Sequence, residues 1–347
     1  MSTRELPDRR NLRIVRARRL TEQGRSADVR GDTTAALEYF DRAIELLEAG
    51  PQHPLLADAL RWKGTTLRER GETQRAAELY ERSLAVALQV GTTTAQAHGT
   101  NCLGIIAQRR GDFAAADALY QKALALARAT SDEQLEGMIG QNRGVMAQVR
   151  GDYQHAEECY ELALRAFEAS DNREAMTWVL NNLGMLQQTL GTLHAAERSF
   201  ERGLVLAVER GDRRMEGLLE LNRAQLGLSQ NRVEEAEACC THAYDVATSR
   251  GDHLNAAEAL KCRGVIERRR GACERARDTL MVAKTLADEC EDALLAAEVL
   301  RELAQVCEVT GDREAAVNQW ESARDGFQHL GAHPDVTQVT SHLQLLR

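Results

Sequence analysis

Apolar residues recur along this chain at helical spacing in runs of about 17, and every run is closed by a short polar break. One set of breaks sits at Gly31, Gly71, Gly111, Gly151, Gly191, Asn231, Gly271 and Gly311, a step of 40 residues each time. A second set falls midway, at Gly91, Ser131-Asp132, Asp171-Asn172, Gly211-Asp212, Gly251-Asp252, Glu291-Asp292 and Gly331. A stop about every 20 residues predicts helices about 25 Å long, in pairs, with no strand. Glycine takes the left-handed conformation that ends a helix. Asp32, Asp112, Asp152 and Asp312 follow it as N-caps of the next one.

Within each 40-residue unit three positions keep their character. Seven residues before the glycine turn stands a small residue (Gly24, Gly64, Gly104, Gly144, Gly184, Ala224, Gly264, Ala304), and five after it an alanine, from Ala36 to Ala316. Nine after it comes a bulky group: Phe40, Tyr80, Tyr120, Tyr160, Phe200, Leu280 or Trp320, with Cys240 the exception. Glycine inside a helix costs about 1 kcal/mol against alanine, so its recurrence predicts a close approach between paired helices. The bulky group is placed to fill space between one repeat and the next.

These residues resemble the tetratricopeptide repeat proteins, whose helix pairs carry a small residue, an aromatic and a Gly-Asp turn at such spacings. The resemblance covers about residues 11–330. The period exceeds the usual 34 of that family and is similar to its long-helix branch, to which the kinesin light chain and Pins/LGN-type scaffolds belong. It implies an all-α, right-handed α-solenoid of about eight helix pairs. Residues 1–10 form a basic N-terminal extension, 11–331 the eight repeats, and 332–347 a C-terminal capping helix, with Val336, Val339, Leu343 and Leu346 at helical spacing.

Composition narrows the function. A net charge of −9 disfavours a general nucleic-acid binder. Arginines gather in residues 1–30, where they suit either an anionic partner or a solvated outer face. There is no apolar run of membrane-spanning length and no signal-peptide pattern after Met1, so a cytoplasmic location is expected. Eight cysteines without C-x-x-C spacing read as reduced, packed thiols and not as a metal site. The phosphate-loop, dinucleotide, zinc-protease and nucleophile-elbow motifs do not occur. No catalytic residue, metal or cofactor is expected; the chain reads as a binding module and not as an enzyme. Gly50-Pro51-Gln52-His53-Pro54 predicts a kink or longer loop between the first two repeats.

Positions left over after packing mark the candidate site. On the first helix of each middle repeat they fall in one stripe: Asn101, Ile105 and Gln108; Gln141, Val145 and Gln148; Trp178, Asn181, Met185 and Gln188; and Gln225. Asn142, Asn182 and Asn222 run beside them. In the family such a stripe lines a concave groove that takes a protein or extended peptide. An amide both donates and accepts, so these ladders suit either of two tasks: holding a peptide main chain, or tying neighbouring helices together. Charge along the stripe is uneven, with Arg61, Arg68, Lys261, Arg268 and Arg269 against Glu298, Glu302 and Glu308, so an acidic ligand suits the positive stretches. A protein-interaction scaffold is therefore expected. The alternative is a peptide-responsive regulator acting on a separate effector protein.

Overall fold

The computed structural model describes residues 7–330 and 333–346, which form seventeen α-helices with no strand among them. Their contacts divide the chain into two compact units, one ending at Asn172 and the other beginning at Arg173. The N-terminal unit holds α1 (Pro7–Val29) with α2 (Thr33–Glu48), α3 (Pro54–Glu69) with α4 (Thr73–Val90), α5 (Thr93–Arg109) with α6 (Phe113–Ala129), and α7 (Glu133–Val149) with α8 (Tyr153–Ala169). The C-terminal unit holds α9 (Arg173–Thr189) with α10 (Leu193–Arg210), α11 (Arg213–Ser229) with α12 (Val233–Ser249), α13 (His253–Arg269) with α14 (Cys273–Glu289), α15 (Ala293–Thr310) with α16 (Arg313–His329), and a last helix α17 (His333–Leu346). Each unit is an all-α solenoid of antiparallel pairs. Residues 1–6 of the expected N-terminal extension lie outside the described residues, and so does the expected turn at Gly331. The rest of that extension, from Pro7, already belongs to α1.

Turn chemistry sets the helix ends. Gly111 sits at φ +78°, and its left-handed backbone closes α5. The same conformation is imposed on Ser131, Asp171, Asn231 and Glu291, at φ between 48° and 58°. There it costs a side-chain-bearing residue roughly 1–2 kcal/mol, so packing of the flanking helices fixes the turn even without glycine. Asp112 accepts from the Ala115 amide at 3.0 Å and Asp132 from that of Leu135 at 3.0 Å, capping α6 and α7. Between the first two repeats Pro54 opens α3, and the His53 ring accepts from the Leu55 amide.

The recurring glycine and the recurring ring are partners inside one pair. A Cβ built on Gly104 would lie 2.6 Å from the Tyr120 ring, and one on Gly144 2.6 Å from that of Tyr160. Gly64 stands under Tyr80 and Gly264 under Leu280 in the same way. Each glycine thus seats a flat or branched side chain from its own second helix. The far side of the ring then meets the next repeat: Tyr120 shares a buried cluster with Leu135 and Ile139 of α7. The small-residue position answers to the ring, more than to a bare crossing of two helix backbones. At the other end Val339 and Leu343 of α17 are buried in a cluster with Ala323 and Phe327.

Candidate functional site

In each unit the odd-numbered helices touch one another in succession, α1 to α3 to α5 to α7, and α9 to α11 to α13 to α15. The even-numbered helices touch only odd ones. The odd layer is therefore the tighter side of each stack and presents its inner face. The candidate residues all lie on these helices.

Four of the candidate asparagines are spent on that layer. In the N-terminal unit the Asn142 amide group donates to the Asn101 carbonyl at 3.1 Å, joining α7 to α5, and Asn101 is only 2% exposed. In the C-terminal unit Asn222 donates to Asn181 at 2.7 Å, joining α11 to α9, with Asn181 4% exposed and Asn222 buried as well. The Asn181 amide also lies 3.6 Å from the Met185 sulfur. Of the two tasks open to the ladders, these residues perform the helix-tying one. They pair with the neighbour 41 residues away, a choice set by the relative rotation of adjacent helices.

The glutamines at the end of the stripe have another partner. The Tyr120 hydroxyl donates to Gln108 at 2.8 Å and the Tyr160 hydroxyl to Gln148 at 2.9 Å. Burial raises both phenols, and pushes Tyr80 up to about 12, so each keeps its proton as a donor. Gln187, outside the expected stripe, is buried and accepts from Ser199 at 2.8 Å. Its neighbour Gln188 is half-buried, as are Ile105, Gln141, Val145, Trp178, Asn182 and Gln225. Met185 is 45% exposed. These half-open side chains are what the inner face offers to a partner, mixing apolar surface with amide groups. The Arg214 guanidinium stands 5.8 Å from the Trp178 ring.

The charged residues of the stripe separate the two units. In the C-terminal unit Lys261 of α13 bonds to Glu258 at 2.7 Å and to Glu298 of α15. Burial opposes its charge, and the two carboxylates overcome that and hold it above its ordinary value. Arg268 meets Glu302 at 3.1 Å, Arg301 meets Asp335 of α17 at 3.0 Å, and Arg269 donates to the Leu228 carbonyl at 2.7 Å. Of the cations expected to await a ligand here, Lys261 and Arg268 are already neutralised and Arg269 is held by a main-chain carbonyl. Glu308 likewise accepts from Trp320 and, at 2.7 Å, from His342, beside a cleft of about 470 Å³.

The N-terminal unit differs. Arg61 of α3 is 9% exposed, and its nearest carboxylate, Asp58, stands at 3.6 Å, beyond hydrogen-bond reach. Its Nε is buried without a hydrogen-bond partner, as are those of Arg68 and, in the C-terminal unit, Arg268. Trp62 packs under the guanidinium groups of Arg25 and Arg61, 4.3 and 4.4 Å from its ring centre. Across on α5, His98 is pushed down to about 4 by burial and then by the charge of Arg61, with Asp132 opposing. It stands neutral at physiological pH. Burial likewise raises the Cys102 thiol, against the pull of Arg61 and Arg68. Among the described residues no group of His, Cys, Asp and Glu comes together that could hold a metal ion, and no helix is long and apolar enough to cross a membrane.

Tetratricopeptide repeat models match residues 22–89, 97–133 and 138–206, together half of the chain. The chain belongs to the tetratricopeptide repeat family. No curated protein matches it in sequence. Among solved structures it is similar to the apo form of the quorum sensor NprR from B. thuringiensis, at 15% identity and a TM-score of 0.68, over 90% of this chain and 87% of that one. It is also similar to the Rap conjugation gene regulator of the plasmid pLS20 in complex with the Phr* peptide, at 14% identity and 0.56, over 83% and 78% of the two chains. A third is BtubC from P. vanneervenii, at 21% identity and 0.56, over 65% and 92%. At these identities the likeness is one of fold.

Proposed function

We propose that this chain is a protein-interaction scaffold that binds a partner protein or extended peptide along the inner face of its odd helices, without chemistry of its own. The observation that carries this is the residue set left half-open there after packing: Ile105, Gln141 and Val145 in one unit, Trp178, Met185 and Gln188 in the other. Apolar surface gives such a face affinity, and amides that both donate and accept suit the main chain of an extended segment. The reading takes the cytoplasm as its compartment, in keeping with the free thiols. A peptide-responsive regulator acting on a separate effector is the second reading, favoured by the fold likeness to a Rap regulator solved with its Phr* peptide.

Panning the full chain against a random peptide library tests it. Selected peptides should lose at least tenfold in affinity with Val145→Arg or Met185→Arg, while Val282→Arg, at an exposed position of even helix α14, leaves them bound. Circular dichroism melting serves as the folding control. Peptides indifferent to both inner-face changes, or a library that yields no binder, would count against the proposal.

A further inference from the structure

One repeat departs from the bulky position. Where the others carry an aromatic ring or a leucine, α12 carries Cys240, and 22 residues on the next odd helix carries Cys262. In the N-terminal unit the same two positions hold Tyr80 of α4 and Cys102 of α5, whose side chains meet in one buried cluster. Cys240 and Cys262 likewise share a buried cluster, at 2% and 3% exposure. The Cys240 thiol donates to the Ala259 carbonyl at 2.9 Å, which sets its sulfur on the face of α13 that carries Cys262 one turn later. There the two thiols bond to each other, and the Arg263 amide donates to the Cys240 sulfur as well. The Cys262 bond, helped by the charge and amide of Arg263, draws Cys240 below the ordinary thiol value although burial opposes it. Its bond to Cys240 and then burial hold Cys262 well above that value. Cys239, the next residue in sequence, is pushed up to about 12 by burial and then by Glu220.

We propose that Cys240 and Cys262 form a redox modification site, at which hydrogen peroxide joins the two sulfurs in a disulfide that fastens α12 to α13. The Cys240 thiolate attacks one peroxide oxygen and the O–O bond breaks. The hydroxide that leaves takes up the proton lost by Cys240, giving water and a Cys240 sulfenic acid. The Cys262 sulfur then attacks the sulfenic sulfur; an S–S bond forms, the S–O bond breaks, and the hydroxide leaves with the Cys262 proton as a second water. Two electrons pass from the sulfurs to the peroxide. The division of roles follows from the hydrogen bonds, which favour thiolate at Cys240 and keep the proton on Cys262 until it is needed. Peroxide is close to water in size, so it suits a buried pair that bulkier thiol reagents do not reach. Neighbouring repeats of a solenoid hold to each other by packing alone, and this bond makes one such step covalent until a dithiol reverses it. The link requires no partner and is independent of the scaffold reading.

Peptide mapping of the native full chain tests the site. The reduced chain is treated with hydrogen peroxide, its remaining thiols are blocked with N-ethylmaleimide in denaturant, and it is digested with trypsin without reduction. Mass spectrometry should find the peptide 233–250 joined to the dipeptide 262–263. The joined species should persist in Cys239→Ser, disappear in Cys240→Ser and in Cys262→Ser, and vanish on treatment with dithiothreitol. Oxidation should raise the melting temperature by about 5 °C in wild type and Cys239→Ser and in neither of the other two variants. Circular dichroism of each reduced variant checks that it folds, and Cys239→Ser carries the test should either buried substitution fail to do so. No joined species from native wild type or Cys239→Ser, or equal yield from Cys240→Ser, would overturn the proposal. A joined species that leaves the melting temperature unchanged would overturn the fastening of α12 to α13.

Discussion

The α3–α5 and α13–α15 pairs use one repeat register for opposite ends. In the second, Lys261, Arg268, Glu298 and Glu302 neutralise each other across the interface and act as cross-links between helices. In the first, Arg61 and Arg68 keep the cationic half of that device while α5 supplies His98 and Cys102. Two side-chain changes on α5 separate a structural ion-pair ladder from two arginines whose only carboxylate contacts lie within α3 and are solvated. Charge in a solenoid of this kind is to be read in pairs, one helix against the next, before any of it is assigned to a ligand. The amides divide similarly. Asn181 and Asn222 are both buried, whereas Asn101 is buried but its partner Asn142 remains half-open.

The amide pairs give the largest contrast. Asn181→Leu would leave the buried Asn222 amide without an acceptor, at a cost of about 1–3 kcal/mol. Asn101→Leu should cost less, because water can reach Asn142. Replacing Asn181 and Asn222 together by leucine should recover most of the loss, since neither polar group is then stranded. Urea denaturation of the three variants measures this. Equal losses at Asn181 and Asn101 would erase the distinction between the two units at this position.

The charged pairs come next. Lys261→Met leaves Glu258 and Glu298 facing each other at partial burial. The destabilisation should be about 1–2 kcal/mol, below the 3–5 typical of a fully buried pair because both carboxylates keep some solvent. Arg61→Met at the matching register should change stability by less than about 0.5 kcal/mol in either direction, because its carboxylate contact is long and its partner solvated. Melting temperatures of the two variants, taken side by side at low and at physiological salt, check the difference. A loss at Arg61 as large as that at Lys261 would mean that its packing on Trp62 is structural in its own right.

Helix positions were legible in the sequence because each boundary is written locally: a residue able to take a left-handed backbone, then an aspartate, then an alanine five places after the turn. The small and bulky positions were legible as a pair too. Their relation was not, because the spacing tells which residues point inward and not which helix receives them; Gly104 under Tyr120 is visible only once the pair is assembled. The half-open positions Ile105, Val145, Trp178 and Met185 emerged by subtraction from the packing positions. The amides resisted that treatment. Asn101 and Asn181 repeat at the period of the fold whether they serve a ligand or a neighbour, and burial alone separates the cases. One signal in the sequence does distinguish the units: displacing the Lys261/Glu298 and Arg268/Glu302 pairs by 200 residues shows at once that α5 lacks both acids.

The smallest effect tests the residue that stands where a carboxylate stands in the other unit. His98 titrates at about 4, held down by burial first and by Arg61 second, whereas an unfolded histidine titrates near 6.5. Over the window between these values the unfolded chain binds a proton that the folded chain refuses. Stability contributed by keeping this imidazole neutral is therefore complete above about pH 6.5 and declines as pH falls toward 4. One pH unit below the unfolded value the loss amounts to about 1 kcal/mol. Carboxylates elsewhere in the chain also respond to acid, so the informative quantity is the difference between wild type and His98→Gln. Their stabilities should run parallel above pH 7 and converge in favour of His98→Gln from pH 6.5 downward. Adding Arg61→Met to the wild type should leave the onset near pH 6.5, which the unfolded chain sets, and make the total loss smaller, since removing a nearby positive charge lets the folded ring accept a proton more readily. A total loss unchanged by Arg61→Met would show that burial alone depresses His98 and that the field of Arg61 does not reach α5.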